Sequence, residues 1–190
     1  MLSLDSVHRI ESFDISNISG TDIVAGMVVF QGGKPKKSEY KRFKIEGLNN
    51  QDDYASMFQV IKRRFVHYKQ GDAGFDNAPD LLLIDGGALH ARTAVHALQE
   101  LDLSFQVFGM VKDERHRTRA LVTPDGDEIG IDGQQSVYSL IGNIQEETHR
   151  FAITFHRQLR SKRLRYSELD GIAGIGPKRK EQLLRHFKSL

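Results

Sequence analysis

The chain has 190 residues, 39% hydrophobic and 27% charged, which is typical of a globular protein with one main core rather than of a disordered chain. It contains no cysteine, which excludes disulfides and thiolate zinc sites and favours a reducing, cytoplasmic compartment. The start MLSLDSVHR lacks the apolar core of a signal peptide, and no apolar run reaches the roughly 18 residues of a membrane span, so a soluble protein is expected.

The net charge of +2 conceals an uneven distribution. Residues 150–190 carry 11 Lys and Arg against 3 Asp and Glu, a net charge of +8, whereas residues 1–149 carry 16 against 22. A basic end on a mildly acidic body suits a polyanionic partner, although a solvated charged helix would have a similar composition.

Three predicted strands come first in the chain. Residues 8–16, 22–31 and 36–46 have strand-like patterns and are joined by short turns that contain Gly, Asn or Pro. The second run is apolar on both faces, which predicts a central strand covered on each side. The third run is more polar, which predicts an edge strand.

The apolar period then changes to that of a helix. Apolar residues recur at helical spacing from Ala55 to Tyr68, after an Asn or Asp that can cap the first turn. The burst PDLLLID predicts a buried parallel strand. A second helix is predicted after the glycine pair that follows, with these residues directed inward: Leu89, Ala94, Val95, Leu98 and Leu101.

A fifth strand at residues 105–111, a loop of about 25 residues and a long amphipathic helix from Val137 to Leu159 complete the predicted order. The loop includes TPDGDEIGIDGQQ, which has no apolar period and is predicted to be mobile. The order β-β-β-α-β-α-β-α predicts an α/β fold with a mixed five-stranded sheet and helices on both faces. Right-handed crossovers would bring the fourth strand back beside the first.

Two aspartates end strands of this predicted sheet. If the strands that end at Asp14 and Asp85 are parallel neighbours, their carboxylates converge at the sheet end where ligands of such folds bind. Converging carboxylates repel, so they need a shared proton or a hard divalent cation such as Mg²⁺ or Mn²⁺, unless each merely caps a turn. Gly86 and Gly87 would let a bulky ligand approach the backbone closely.

A histidine on the last helix is the third candidate. His149 lies beside the apolar stripe and is either a boundary residue or, near two metal-binding carboxylates, a ligand or the general base that activates water. His156, seven residues further on and on roughly the same face, is the rival for this role.

Five ordered blocks carry a family resemblance: FDISNISGTDIVAGMVVF, DDYASM, LLLIDGG, KDERHRT and ETHRFAITFHR. Together they resemble the C-terminal endonuclease half of UvrC, the incision subunit of the bacterial UvrABC nucleotide excision repair nuclease, from about residue 8 to the end. The resemblance implies a ribonuclease H-like fold and a DNA endonuclease that incises the damaged strand on the 5′ side of a lesion. It maps an Asp-Asp-His active site onto Asp14, Asp85 and His149.

The resemblance also directs attention to Asp53, an acidic position that the family links to incision, although an Asp at a helix N-terminus would also simply favour the helix dipole. Relatives commonly carry Lys and Gly after IDGG, whereas this chain has Ala88, Leu89 and His90, so a positive contact from position 88 is in doubt. The N-terminal nuclease domain used for the 3′ cut and the segment that docks on UvrB are absent. A fragment capable of at most one of the two incisions is therefore expected.

Basic residues follow the fifth strand and open on the same sheet end as the carboxylates. They could hold the phosphates that flank the scissile bond, with the first of them nearest the metal: Lys112, Arg115, Arg117 and Arg119. A solvated loop is the alternative, because Asp113 and Glu114 interleave the basic residues.

The tail resembles a helix-hairpin-helix motif, which grips the DNA backbone without reading sequence. Gly174 and Gly176 would offer free backbone amides to a phosphate, with Lys178 and Arg179 beside them and Pro177 at the first position of a helix. An ordinary helical turn is the alternative. We expect an endonuclease domain at residues 1–165 and the first of the family's usual two hairpin motifs at residues 166–190.

These observations predict a metal-dependent DNA endonuclease domain. A DNA-binding or scaffold module that keeps the fold but does not cut alone is the competing hypothesis. A nucleotide-binding enzyme that uses LLIDGG as a phosphate loop is a weaker one, since no G-x-G-x-x-G or Walker pattern follows.

Overall fold

The computed structural model describes residues 7–17, 23–47, 52–113, 118–131 and 133–167, together with Gly176 and Arg179; of residues 17 and 156–167 it describes the backbone alone. These residues form strands and α-helices in the order β1 Arg9–Asn17, β2 Ile23–Gln31, β3 Lys34–Pro35, β4 Lys41–Lys44, α1 Asp53–Gln70, β5 Leu81–Ile84, α2 Ala88–Gln99, β6 Gln106–Lys112, β7 Thr118–Val122, β8 Glu128–Gly130 and α3 Gln135–Ser167. None of the described helices combines the length and hydropathy needed to cross a lipid bilayer.

All eight strands belong to one mixed sheet, in the order β3-β2-β1-β5-β6-β7-β8, with β4 also paired to β2. The centre of the sheet is parallel, because β5 pairs in parallel with both β1 and β6. The flanking strands pair antiparallel. The predicted α/β class and the return of the fourth predicted strand, β5, to the side of β1 are therefore confirmed.

Helices cover both faces of the sheet. On one face, Phe13 of β1 and Met27 of β2 pack with the buried residues of α1 and α2. On the other face, Val28 and Phe30 of β2 pack with Ile141 and Ile144 of α3. The prediction that the second strand is central and covered on each side is confirmed, and the two cores fix the sheet between its helical layers.

The predicted third strand is wrong in its extent. Residues 36–46 do not form one strand, since β3 ends at Pro35, a 3₁₀ turn spans Lys37–Glu39, and β4 begins at Lys41. Proline has no N–H to donate to a sheet ladder, which limits it to edges and strand ends. The predicted edge position holds, because β4 pairs with β2 alone.

The sheet has eight strands rather than the five predicted, because β3 and β4 take the place of the predicted third strand and the supposed loop after β6 contains the β7–β8 hairpin. Within TPDGDEIGIDGQQ, Thr123 N donates to Asp127 O at 2.9 Å and Gly126 has φ +105°, which closes the turn between the two strands. The hairpin is held to the core through Leu121. The prediction of a structureless loop is therefore wrong over residues 118–130.

A buried ionic cluster lies beneath α1, at the opposite end of β1 from Asp14. The Arg64 side chain is fully buried, and its Nη2 donates to Glu11 Oε1 at 2.7 Å. Arg9 also pairs with Glu11, at 2.8 Å, and with Glu39. Buried charges are tolerated only when they are paired and hydrogen-bonded. Glu11 therefore has a structural role that its sequence pattern did not indicate.

Candidate active site

Two aspartates meet at one edge of the sheet because of the parallel pairing of β1 with β5. In this register Phe13 lies opposite Ile84, so Asp14 and Asp85 are the next residues on neighbouring strands. The Asp85 backbone N–H donates to Phe13 O at 2.8 Å, which extends the ladder by one bond. Both side chains are largely buried, with exposed fractions of 9% for Asp14 and 3% for Asp85.

The long helix α3 brings the third residue to this edge. A Cβ atom at Gly26, the β2 partner of Asp14, would lie 3.1 Å from the backbone nitrogen of Ala152 and 3.0 Å from the Phe151 ring. Such distances are tighter than ordinary packing, so the helix approaches the sheet closely only because position 26 has no side chain. Thr148 is buried here, with its hydroxyl 3.0 Å from Ser12 Oγ.

The three predicted catalytic residues are brought together. His149 Nδ1 lies 3.0 Å from Asp14 Oδ2 and 4.0 Å from Asp85 Oδ2. One ligand atom from each residue can be chosen so that all three lie within 4.8 Å of one another. The imidazole is the most open member of the cluster, since 52% of the His149 side chain is exposed.

A lysine contributes a positive charge to the cluster. Lys112, the last residue of β6, places its Nζ 2.7 Å from Asp85 Oδ1 and 2.9 Å from Oδ2. Lys112 was predicted to lie nearest the metal among the basic residues after β6, and it lies directly against one of the two carboxylates. Its ammonium group offsets part of the negative charge of the two buried carboxylates.

Burial and neighbouring charges shift the pKa values of two residues in the cluster. Burial raises the pKa of the Asp85 carboxyl above 3.8, and the Asp14 charge raises it further, against the opposing effects of Lys112 and His149. The hydrogen bond to Asp14 raises the pKa of the His149 imidazole above 6.5, although partial burial acts in the opposite direction. Both shifts favour the protonated forms of these groups, and so a less negative cluster.

The two glycines after Asp85 have different surroundings. A Cβ atom at Gly86 would lie 2.6 Å from Cγ of the His90 ring, and one at Gly109 of β6 would lie 2.4 Å from the Gly86 carbonyl oxygen. Gly86 therefore makes room for a side chain of the protein itself, which differs from the expected close approach of a ligand. Gly87 has open space where a side chain would extend, as that expectation requires.

Beside the cluster, the first turns of α1 and α2 bring together two rings that the sequence analysis did not single out as a site. The Tyr54 and His90 ring centroids lie 4.5 Å apart. Burial lowers the pKa of His90 below 6.5, while Asp53 and Asp14 act in the opposite direction. Asp53 is the first residue of α1, and Asp52 caps the helix by accepting from Ala55 N at 2.9 Å.

One residue predicted to face inward is exposed. Leu89 follows Ala88, the first residue of α2, and 56% of its surface is accessible, so its predicted packing is wrong. Helical periodicity assigns a face to a residue but does not tell where the helix extends beyond the sheet that it covers. By contrast, Ala94 and Leu98 are buried as predicted.

The remaining predicted DNA contacts are only partly covered by the structure. Arg119 lies on β7 and forms an exposed ion pair with Glu128 at 2.8 Å. Gly176 and Arg179 are exposed. Four other predicted contacts lie outside the described residues: Arg115, Arg117, Gly174 and Lys178. His156 is within α3, but its side chain is also outside the description, so its rivalry with His149 stays open.

Solved structures with a similar fold are nucleases. The chain aligns with Ciona intestinalis endonuclease V, crystallised with a 24mer DNA containing an inosine followed by a ribo-adenosine, with a TM-score of 0.52, 12% identity and coverage of 83% of this chain and 89% of that one. Human ENDOV gives a TM-score of 0.50 at 11% identity, covering 82% and 87%. These likenesses establish the fold class, which is that of the ribonuclease H-like proteins.

The sequence assigns the chain within this class. Residues 1–153 match the family described as the UvrC RNAse H endonuclease domain, and the chain belongs to that family. The UvrABC system protein C of Desulfitobacterium hafniense is 49% identical over 189 residues, which cover 100% of this chain and 31% of that protein. Its counterpart from Streptococcus thermophilus is 46% identical over 192 residues, covering 100% and 32%. The chain thus spans about a third of the length of these relatives.

Proposed function

We propose that the chain is a metal-dependent DNA endonuclease domain that hydrolyses a phosphodiester bond at the Asp14, Asp85 and His149 cluster. The observation that carries the proposal is the convergence of ligand atoms from these three residues to within 4.8 Å of one another at the carboxyl edge of the parallel strands. Membership of the UvrC endonuclease family supports the reaction type.

The donor set fits a divalent cation. Two carboxylates and an imidazole suit Mg²⁺ or Mn²⁺, and burial together with the Asp14 charge, which raises the pKa of Asp85, makes added positive charge beside this carboxylate favourable. Asp14, Asp85 and His149 would hold the ion. When bound, such an ion polarises a phosphoryl oxygen and offsets the negative charge that develops during attack.

The protein's own groups supply the remaining chemistry. The open imidazole of His149 serves as a ligand or accepts the proton of the attacking water, and Asp14 orients it through the contact to Nδ1. Lys112 is positioned to contact a phosphate oxygen beside the scissile bond once a cation neutralises Asp85. The rigid sheet edge holds these groups in place, which favours in-line attack.

In the cell, we infer that the substrate is double-stranded DNA containing a lesion and that the cut falls on its 5′ side during nucleotide excision repair. The names of the UvrABC relatives support this assignment. UvrB would be the partner, and the cytoplasm would be the compartment. Residues 166–190 would form the first helix-hairpin-helix motif of the family's usual pair, and its Gly174, Gly176, Lys178 and Arg179 would bind the DNA backbone together with Arg115 and Arg117.

The test is metal binding and DNA cutting by the same set of variants. Asp14→Asn should abolish heat release on Mn²⁺ addition in isothermal titration calorimetry and abolish 5′ incision when placed in the full-length protein with UvrA and UvrB. Asp127→Asn, which changes an exposed carboxylate in the β7–β8 turn, is the matched control and should do neither. Persistence of 3′ incision would show that the Asp14→Asn protein is folded and assembled.

Two other outcomes would decide against parts of the proposal. Cutting that persists in both the Asp14→Asn and Asp85→Asn proteins would show that the cluster is not the active site. The role of His149 separates in the same assays: His149→Gln weakens Mn²⁺ binding if the imidazole is a ligand, but slows cutting with unchanged Mn²⁺ affinity if it is the base. An effect confined to His156→Gln would assign the role to the other histidine.

A further inference from the structure

Two large apolar side chains are exposed beside the carboxylate cluster. In the described part of the chain, Tyr54 with 44% and Leu89 with 56% accessible surface are the large hydrophobic residues left open to solvent. Both lie in first turns of helices, Tyr54 in α1 and Leu89 in α2, and these helices pack against each other. Both flank His90, because Leu89 precedes it in the chain and the Tyr54 ring contacts its ring.

A chain of contacts joins Tyr54 to the active site. Gly86 follows the metal-ligand candidate Asp85 directly, and the His90 ring occupies the space where a side chain at Gly86 would begin. The Tyr54 ring then lies against His90, with the two ring planes inclined by 38°. Tyr54 is thus only two side-chain contacts away from the residue after Asp85.

The exposed tyrosine is not explained by packing alone. The Tyr54 ring contacts the His90 ring, 44% of the residue's surface stays accessible, and no hydrogen bond of the Tyr54 hydroxyl is found to any described residue. Buried tyrosines usually give their hydroxyl a hydrogen-bond partner, whereas this residue remains 44% accessible. The open face is therefore available to a flat ligand.

We propose that the open face of Tyr54, extended by Leu89, is a stacking surface for a nucleobase of the DNA strand that is cut at the cluster. The inference rests on the proposed function, since it takes DNA as the substrate. Every base has a π-face, so stacking on an aromatic ring positions a strand without selecting its sequence. His90 supports the ring from behind, and its place is reserved by Gly86.

The test uses the whole 190-residue chain and fluorescein-labelled 20-mer DNA duplexes, with EDTA present to prevent cutting. Tyr54→Ala should weaken DNA binding by about 5- to 100-fold in fluorescence anisotropy, as expected for the loss of one stacked base. Tyr54→Phe keeps the ring and should bind within about twofold of the unaltered protein. A duplex with a short run of unpaired bases at its centre offers unstacked base faces, so it should bind the unaltered protein more tightly than a fully paired duplex, and Tyr54→Ala should lose this preference.

A second readout does not depend on the alanine variant folding well. The chain contains no tryptophan, so Tyr54→Trp introduces a single tryptophan whose emission should be quenched when a base stacks on it. Tyr138→Trp is the matched control, because Tyr138 lies in α3 eleven residues before His149, about 16 Å along the helix, and should not be quenched.

The outcomes separate this inference from the proposed function. Unchanged DNA affinity in Tyr54→Ala, or equal quenching of the two tryptophan variants, would overturn the stacking surface while leaving the endonuclease assignment intact. An unaltered protein that neither binds nor cuts DNA would overturn both.

Discussion

His149 Nδ1 lies 3.0 Å from Asp14 Oδ2, although the two residues are 135 positions apart in the chain. The contact joins the first strand of the sheet to the last helix. Asp14 is held by the β1 ladder and His149 by the docking of α3, so the distance between them depends on how closely that helix approaches the sheet.

Replacing a buried carboxylate should reveal a conflict between function and stability. The pKa of Asp85 is raised, so its contribution to stability is complete below about pH 3.8 and is lost as the pH rises through the folded-state pKa. At pH 7 the ionised group is therefore unfavourable in metal-free protein. In EDTA, Asp85→Asn should increase the free energy of unfolding by about 0.5–2 kcal/mol and so raise the melting temperature. The same variant should abolish the stabilisation that Mn²⁺ gives to the unaltered protein. Differential scanning calorimetry with and without Mn²⁺ measures both.

The neighbouring lysine competes with a cation for Asp85. Lys112→Met removes the ammonium group that lies 2.7 Å from Asp85 Oδ1, so Mn²⁺ should bind roughly two- to fivefold more tightly in calorimetry. Cutting should nevertheless fall, by about 100-fold, because a positive charge beside the reacting phosphate is lost. Lys62→Met, which breaks the exposed Lys62–Glu100 pair elsewhere on the surface, should change neither quantity. Weaker Mn²⁺ binding in Lys112→Met would contradict the competition.

The pKa values of two histidines at this end of the sheet should be shifted in opposite directions. In metal-free protein, the hydrogen bond to Asp14 keeps the pKa of His149 above 6.5, and burial keeps the pKa of His90 below it. His149 therefore contributes stability that is present below about pH 6.5 and lost as the pH rises through its folded-state pKa. His90 contributes stability that is present above about pH 6.5 and lost as the pH falls through its folded-state pKa. NMR titration of the imidazole C–H signals in EDTA measures both pKa values. The variants His149→Gln and His90→Gln, each of which lacks one of these signals, assign them.

A single methyl group should separate the helix from the sheet. In Gly26→Ala the new Cβ would meet the Ala152 backbone at 3.1 to 3.2 Å, so α3 must shift, at a cost of about 1–3 kcal/mol in the free energy of unfolding. The shift moves His149 away from Asp14, and Mn²⁺ affinity and cutting should fall together. Gly142→Ala, on the same helix but with open space at its Cβ position, should instead stabilise the protein by up to about 1 kcal/mol. Urea unfolding of both variants decides the matter, and equal effects would rule out the close approach as the cause.

The long apolar periods made much of the fold predictable. The apolar runs of β2 and of LLLI in β5 are long enough to predict buried strands. The apolar stripe of α3 continues over several turns, which predicts a helix. The convergence of Asp14 and Asp85 followed from the same reasoning, since neighbouring parallel strands end at one edge. A fold of this kind is thus well determined by periodicity and connection rules.

Short elements and side-chain contacts escaped the same reasoning. β7 has five residues and β8 three, too few for a period to emerge from the charged sequence around them. The packing of His90 against Tyr54 depends on the absence of a side chain at Gly86, which spacing alone does not reveal. The role of Glu11 required knowing that Arg64, 53 residues away, is buried beside it.

The three segments that build the cluster are made at different times during synthesis, because β1, the end of β5 and α3 come from the beginning, the middle and the late part of the chain. A nascent chain that has not reached α3 has both aspartates and Lys112 but no imidazole between them. Its sheet also lacks the cover over Val28 and Phe30, so the edge that aligns the aspartates is not yet stable. The cluster of Asp14, Asp85, His149 and Lys112 would therefore be completed in one late step of the synthesis of this domain.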